Sequence, residues 1–205
     1  MADKAQVLIT CTQPRADEIA SSFGNYAITN PALTVQKLNV SCPVGHYDSM
    51  VITSRHALNH DLPQLPTICV GHETAAIARS KNLDVVDVGS GGIQDLALSP
   101  YKNILYPCAV DPSFIPENCT PWPVYKTLPN PYFNIDESVT HIAIFSNKAA
   151  KVIKSYDLHN KIILTLSQKI ADVLNDTMVK KLVICTHPNY DIMKTLIEKE
   201  LEKHT

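Results

Sequence analysis

The sequence predicts an α/β protein of two domains, each a parallel sheet with crossover helices. Two features carry that prediction. Short runs rich in Val and Ile alternate with helix-length segments, each helix following a strand. A pattern of strand, Ser or Thr, then helix also occurs twice at a nearly constant offset.

Taken in order, strands read at 7–12, 32–38, 49–53, 67–70, 84–88, 103–106, 124–128, 141–145, 162–166 and 182–186. They are too many for one small sheet. Helices read at 15–23, 54–60, 72–81, 92–98, 147–156, 168–175 and 189–203. Between 107 and 131 stand Pro112, Pro116, Pro121, Pro123 and Pro129, so this stretch cannot run as continuous helix. It reads as loops around an extended segment at a domain boundary.

The repeat pairs Met50-Val-Ile-Thr-Ser-Arg-His-Ala-Leu58 with Ile142-Ala-Ile-Phe-Ser-Asn-Lys-Ala-Ala150. It also pairs Thr67-Ile-Cys-Val-Gly-His-Glu-Thr-Ala-Ala76 with Ile163-Leu-Thr-Leu-Ser-Gln-Lys-Ile-Ala-Asp172. Ser54 and Ser146 lie 92 positions apart and Gly71 and Ser167 lie 96 apart, as a duplicated domain requires.

Composition removes several function classes. The chain has 205 residues, 45% hydrophobic, with 18 Lys and Arg against 20 Asp and Glu and no basic run, so a nucleic-acid partner is not expected. Apolar runs such as 50–53 and 142–145 are far too short to cross a bilayer, and 1–6 is polar with no signal-type apolar region after it. The expectation is a cytoplasmic protein without a membrane partner. Six cysteines at 11, 42, 69, 108, 119 and 185 show neither CxxC nor zinc-like spacing, and no metal is expected. Cys11, Cys69 and Cys185 read as small buried hydrophobes in or beside strands. No GxGxxG, Walker lysine or GxSxG occurs, and Gly89-Ser-Gly-Gly92 has the spacing of none of them.

What remains is turn chemistry. A Ser or Thr that closes a strand and opens a helix caps backbone N–H groups, and such donors with the helix dipole attract anions. Thr53, Ser54, Thr74, Ser146 and Ser167 stand at such places. Gly71 permits close backbone approach. Ligands of open parallel sheets sit at the carboxyl ends of strands, where these turns fall. His56 and His72 follow the repeated turns and read as exposed helix-start histidines.

The succession Thr12-Gln13-Pro14, Pro31, Val51-Ile-Thr-Ser54, Val70-Gly71-His-Glu-Thr74-Ala75, Val124-Tyr125-Lys-Thr127, Phe145-Ser146 and Leu166-Ser167 resembles uroporphyrinogen-III synthase along the whole chain. The resemblance implies two flavodoxin-like parallel-sheet domains joined by a two-stranded ladder, with the active-site cleft between them. The first domain would hold 1–32 and 130–205, and the second, inserted, 33–129; 32–38 and 124–128 would be the connecting strands.

It also implies a reaction. Hydroxymethylbilane, a linear tetrapyrrole, loses its terminal hydroxyl as water, closes through a spiro intermediate, and yields uroporphyrinogen III with ring D inverted. No cofactor is implied. Tyr125 matches the family's tyrosine and would assist departure of the hydroxyl, while Thr12, Thr53, Ser54, Gly71, Thr74, Ser146 and Ser167 would hold substrate carboxylates. Two positions depart from the family pattern: Gln13 replaces the usual basic residue, and Leu166-Ser-Gln-Lys169 replaces a Gly-Pro-Thr type of turn. Arg15, Arg55, Lys126, Lys148 and Lys169 are then the candidate cations. A monomer is expected, with hydroxymethylbilane synthase, the preceding pathway enzyme, as the candidate protein partner. The alternative is a non-catalytic module that binds a tetrapyrrole or another anionic small molecule.

Overall fold

The computed structural model describes residues 5–89 and 92–203, so Ser90 and Gly91 of the Gly-rich turn lie outside the described residues. The chain divides into two compact units, Met1–Thr34 with Leu128–Thr205, and Val35–Thr127. The first unit opens with β1 (Val7–Ile9), α1 (Arg15–Ala20) and β2 (Ala27–Thr29), and the chain leaves it along β3 (Leu33–Lys37). The second unit is built from β4 (Ser49–Ile52), β5 (Thr67–Val70), α2 (His72–Ser80), β6 (Val85–Gly89), β7 (Ile104–Ala109) and β8 (Cys119–Pro129). After β8 the chain completes the first unit with β9 (His141–Ile144), α3 (Asn147–Ile153), β10 (Ile162–Thr165), α4 (Gln168–Ala171), β11 (Lys181–Ile184) and α5 (Tyr190–Glu202).

The first sheet runs β11-β10-β9-β1-β2 with every neighbour parallel. Its order is that of the flavodoxin-like doubly wound fold, with the switch point between β1 and β9. The second runs β3-β8-β7-β4-β5-β6. Its β8-β7-β4-β5-β6 strands are parallel, and the bonds Leu38 N–H to Val124 O and Asn130 N–H to Ala32 O make β3 an antiparallel edge. Without β3 the two sheets share one order. The strands leading to Ser54 and Ser146, β4 and β9, are both central, and those leading to Gly71 and Ser167, β5 and β10, lie next to them. The remaining pair precedes the repeat in the first unit and follows it in the second, so the units are circular permutations of one plan.

The central strands are buried on both faces, which is why they read as unbroken apolar runs. Along β4, Met50 and Ile52 enter one apolar cluster with Leu105, Trp122 and Tyr125, while Val51 enters another with Ile104, Tyr106 and Cys108. This is the two-residue alternation of a strand between two layers. In the first unit Val7, Leu8, Ile9, Ile142 and Ile144 are at most 2% exposed. Each such side chain contributes about 1.5–3 kcal/mol of burial free energy.

Several elements differ from the sequence expectation. β2 was not foreseen; its Ala-Ile-Thr is half-buried at the sheet edge and too short to give a pattern. Segment 54–60 is a tight 3-10 turn (Arg55–Asn59), and 92–98 contracts to another (Ile93–Asp95). β8 is longer than 124–128 in spite of its prolines. Ile104 N–H donates to Asn118 O, which directs the even-numbered residues of early β8 toward β7. Pro121 and Pro123 therefore turn their missing N–H groups to the other edge, before pairing with β3 begins at Val124.

Candidate active site

The second unit changes its direction of winding between β4 and β7, and open α/β sheets bind ligands at the carboxyl ends of strands beside such a point. Thr53 and Ser54 follow β4 there. Thr53 Oγ1 lies 3.2 Å from the Tyr106 hydroxyl, a bond that spans the two strands. Ser54 is extended (φ −150°, ψ 140°) and its Oγ accepts from His56 N–H at 3.3 Å, which starts the 3-10 turn.

The Ser54 hydroxyl also stands beside the phenol of Tyr125. Tyr125 is 8% exposed on β8, and burial raises its pKa above 10.0 against the opposing pull of that hydroxyl. Tyr106, from the opposite face, is likewise raised by burial. Both phenols therefore stay protonated at neutral pH. Beside Tyr125 stands His56, centroids 5.6 Å apart and planes tilted by 57°. Burial first, and then the Arg55 cation, hold His56 below its ordinary 6.5. Arg55 is ion-paired with Glu73 in the first turn of α2.

The neighbouring turn is Gly71, at φ +82°, where a side chain would strain the backbone although no atom lies within 4 Å of an added Cβ. Its N–H is already committed to Gly89 O at 2.7 Å, so it is not the donor that sequence reasoning supposed. Thr74 is the third residue of α2, not its cap; the cap position is Gly71. The first intrahelical bond of α2 is made by Ala75 N–H, which leaves the anion-attracting donors to the preceding turn.

In the first unit the switch point lies between β1 and β9. Thr10 Oγ1 donates 2.7 Å to Ala143 O across it, fully buried. Thr12 follows β1 and its carbonyl accepts from Ala16 N–H. Ser146 caps α3, accepting from Ala149 N–H at 3.1 Å, in the same extended geometry as Ser54 (φ −152°, ψ 153°). Ser167 repeats that geometry (φ −158°, ψ 162°) but makes no side-chain cap bond.

Nearby, Arg15 lies 4.2 Å above the Tyr190 ring, which stacks on Phe145 at 5.6 Å. Of the five proposed cations, Arg15, Arg55 and Lys148 already have partners. Lys126 and Lys148 are half-buried and Lys169 is exposed.

Within the second unit, then, Thr53, Ser54 and Tyr125 come together at one end of the sheet, with Gly71 on the adjoining turn. Thr12 and Ser146 flank the switch point of the first, with Ser167 one strand further out. Sequence reasoning missed Tyr106, Glu73 and the placement of His56, which is half-buried against Tyr125 and not exposed; His72 is exposed as expected. Tyr106 and the His56 contact depend on β7 and β8 lying beside β4, and Glu73 on β5 lying at its other edge. Among the described residues no cluster of three or more His, Cys, Asp or Glu is placed to hold a metal ion, and no helix is long and apolar enough to cross a membrane.

No family model matches the sequence, and no curated protein does. The fold does match. Uroporphyrinogen-III synthetase from Helicobacter pylori 26695 aligns over 96% of this chain and 99% of its own, at a TM-score of 0.65 and 13% identity. A mutant uroporphyrinogen III synthase from the extremely thermophilic bacterium Thermus thermophilus aligns over 97% of this chain and 99% of its own, at 0.52 and 14%. Along its whole length, this chain has the fold of the uroporphyrinogen-III synthases.

Proposed function

We propose that the protein is a uroporphyrinogen-III synthase, converting hydroxymethylbilane to uroporphyrinogen III with loss of water and inversion of ring D. The observation that carries the reading is Tyr125, a buried phenol beside the Ser54 hydroxyl at the switch point, in a fold shared over 96% of the chain with a solved synthase.

The substrate's terminal hydroxyl leaves as water, giving an azafulvene cation; the substituted carbon of ring D attacks it, and the spiro product fragments and recombines. The first step needs a donor at the leaving oxygen. A phenol kept protonated by burial can donate there, passing its proton to the departing oxygen and regaining one from the ring D carbon that loses its hydrogen on closure. Ser54 holds that phenol, and Tyr106 holds Thr53 next to it. Thr12, Thr53, Ser54, Thr74, Ser146 and Ser167, with the turn at Gly71, would meet substrate carboxylates through hydroxyls and helix-start donors. Domains at 1–32 with 130–205 and at 33–129, acting in the cytoplasm as a monomer supplied by hydroxymethylbilane synthase, belong to the same proposal.

The test is to incubate the purified protein with freshly generated hydroxymethylbilane and resolve the isomers. Accumulation of the type III isomer faster than spontaneous closure is the expected result. Type I alone, at the spontaneous rate, overturns the reading and leaves a binding module.

A further inference from the structure

Ser54 accepts from His56 N–H, which fixes the start of the 3-10 turn, and its hydroxyl stands beside the Tyr125 phenol on β8. The turn is anchored behind by Ala57 and Leu58, at most 1% exposed. The imidazole of His56 is thus delivered against the Tyr125 ring by a backbone that has little freedom to move it.

We propose that His56 is a positioning residue for Tyr125: its neutral imidazole holds the phenol ring against the Ser54 hydroxyl, and gain of a proton releases it. This deepens the reading of Tyr125 given above and rests on it. Charged and titratable groups around the pair include Arg55 on the same turn, Glu73 of α2 paired with that arginine, Tyr125 of β8, and Asp111, whose charge reaches Tyr125. A proton on the ring would place a second cation next to Arg55 in a half-buried site. Two consequences follow from the sign. The neutral form is the one the fold favours, so the arrangement is intact at neutral pH. It is lost as pH falls below the histidine's ordinary 6.5, through the lowered value in the fold.

The experiment compares His56→Ala and His56→Phe with the wild type in isomer-resolved kinetics between about pH 5 and 9. The alanine variant should lose about tenfold in kcat with little change in KM, because positioning acts on the reacting group and not on binding. The phenylalanine variant keeps a ring in place without a proton to gain. It should recover most of kcat and lack the acid limb of the wild-type profile.

Wild-type kcat and an unchanged acid limb in both variants would overturn the inference. If the alanine variant fails to fold, the phenylalanine variant alone decides it. A second readout needs no turnover: the Tyr125 Cζ signal in labelled protein should shift as His56 titrates, and should not shift in His56→Phe. A Tyr125 signal indifferent to the His56 titration would sink the proposal even if type III isomer forms. A protein that makes no type III isomer but shows the coupled signal would lose its proposed reaction and keep the ring coupling.

Discussion

At the switch point of the first unit, the Thr10 hydroxyl is sealed in the core on Ala143 O at 2.7 Å, and Ser146 close by serves as a helix cap. At that of the second, Thr53 meets a phenol at 3.2 Å, and the adjacent Ser54 starts a turn with its hydroxyl beside another phenol. The two sheets have the same strand order, so topology does not explain the contrast. The difference lies in what the flanking strands carry: Tyr106 and Tyr125 on β7 and β8, where β1 and β2 present Val-Leu-Ile and Ala-Ile-Thr. One plan thus gives a hydroxyl bonded to the core backbone in one unit and hydroxyls that meet phenols in the other.

The largest effect that tests this contrast is Tyr125→Phe. Removing one oxygen from a buried ring should leave the fold intact and lower kcat for the type III isomer by roughly a hundredfold, the lower end of what a positioned proton donor contributes. Isomer-resolved turnover is the measurement, and wild-type activity would place the second unit's chemistry elsewhere. Next comes the backbone of the paired turns. Gly71→Ala forces a side chain onto φ +82° and should cost about 1–3 kcal/mol in denaturant unfolding. A cost near zero would mean the turn relaxes without strain.

Ser146→Ala and Ser54→Ala then set the two caps against each other. The first should lose about 1 kcal/mol of stability through its cap to Ala149. The second, whose cap bond is longer, should show chiefly as lost kcat through a misplaced Tyr125. Equal stability losses with equal kinetics would erase the distinction between the units.

The first unit also contains a buried carboxylate, Glu200, 3% exposed. Burial alone would raise its pKa, but hydrogen bonds from Lys181 and Lys203 outweigh that and bring it below 4.5. A lowered folded value means the contribution is full above 4.5 and fades as pH falls through the lowered value. Glu200→Gln should therefore flatten the acid end of the stability curve, read from thermal midpoints between about pH 2 and 6. Smallest of all is Ser167→Ala, which removes no cap bond and should stay within about 0.5 kcal/mol of wild type.

Much of the fold was legible. Met50-Val-Ile52 and Ile142-Ala-Ile144 read as central strands because strands covered on both faces need unbroken apolar runs. The capping serines were legible too, because a cap is a local device in which the side chain bonds a backbone two or three residues on. Thr74 read as a cap and is not one, since Gly71 already closes the strand. β2 and the first half of β8 escaped notice, because pairing to a neighbouring strand, not local preference, makes Ala27–Thr29 and the segment around Pro121 extended.

By itself the sequence determined the alternation of strand and helix and each copy of the turn, all local patterns of about ten residues, while Tyr125 was read from the resemblance along the whole chain. Tertiary structure alone decided that Gly71 N–H is spent on Gly89, that Tyr106 crosses to Thr53, and that His56 rests on Tyr125. Those contacts join residues up to 69 positions apart, and sheet order, not chain order, brings them together. The repeated turn specifies where a hydroxyl stands; the strands beside it determine what that hydroxyl meets.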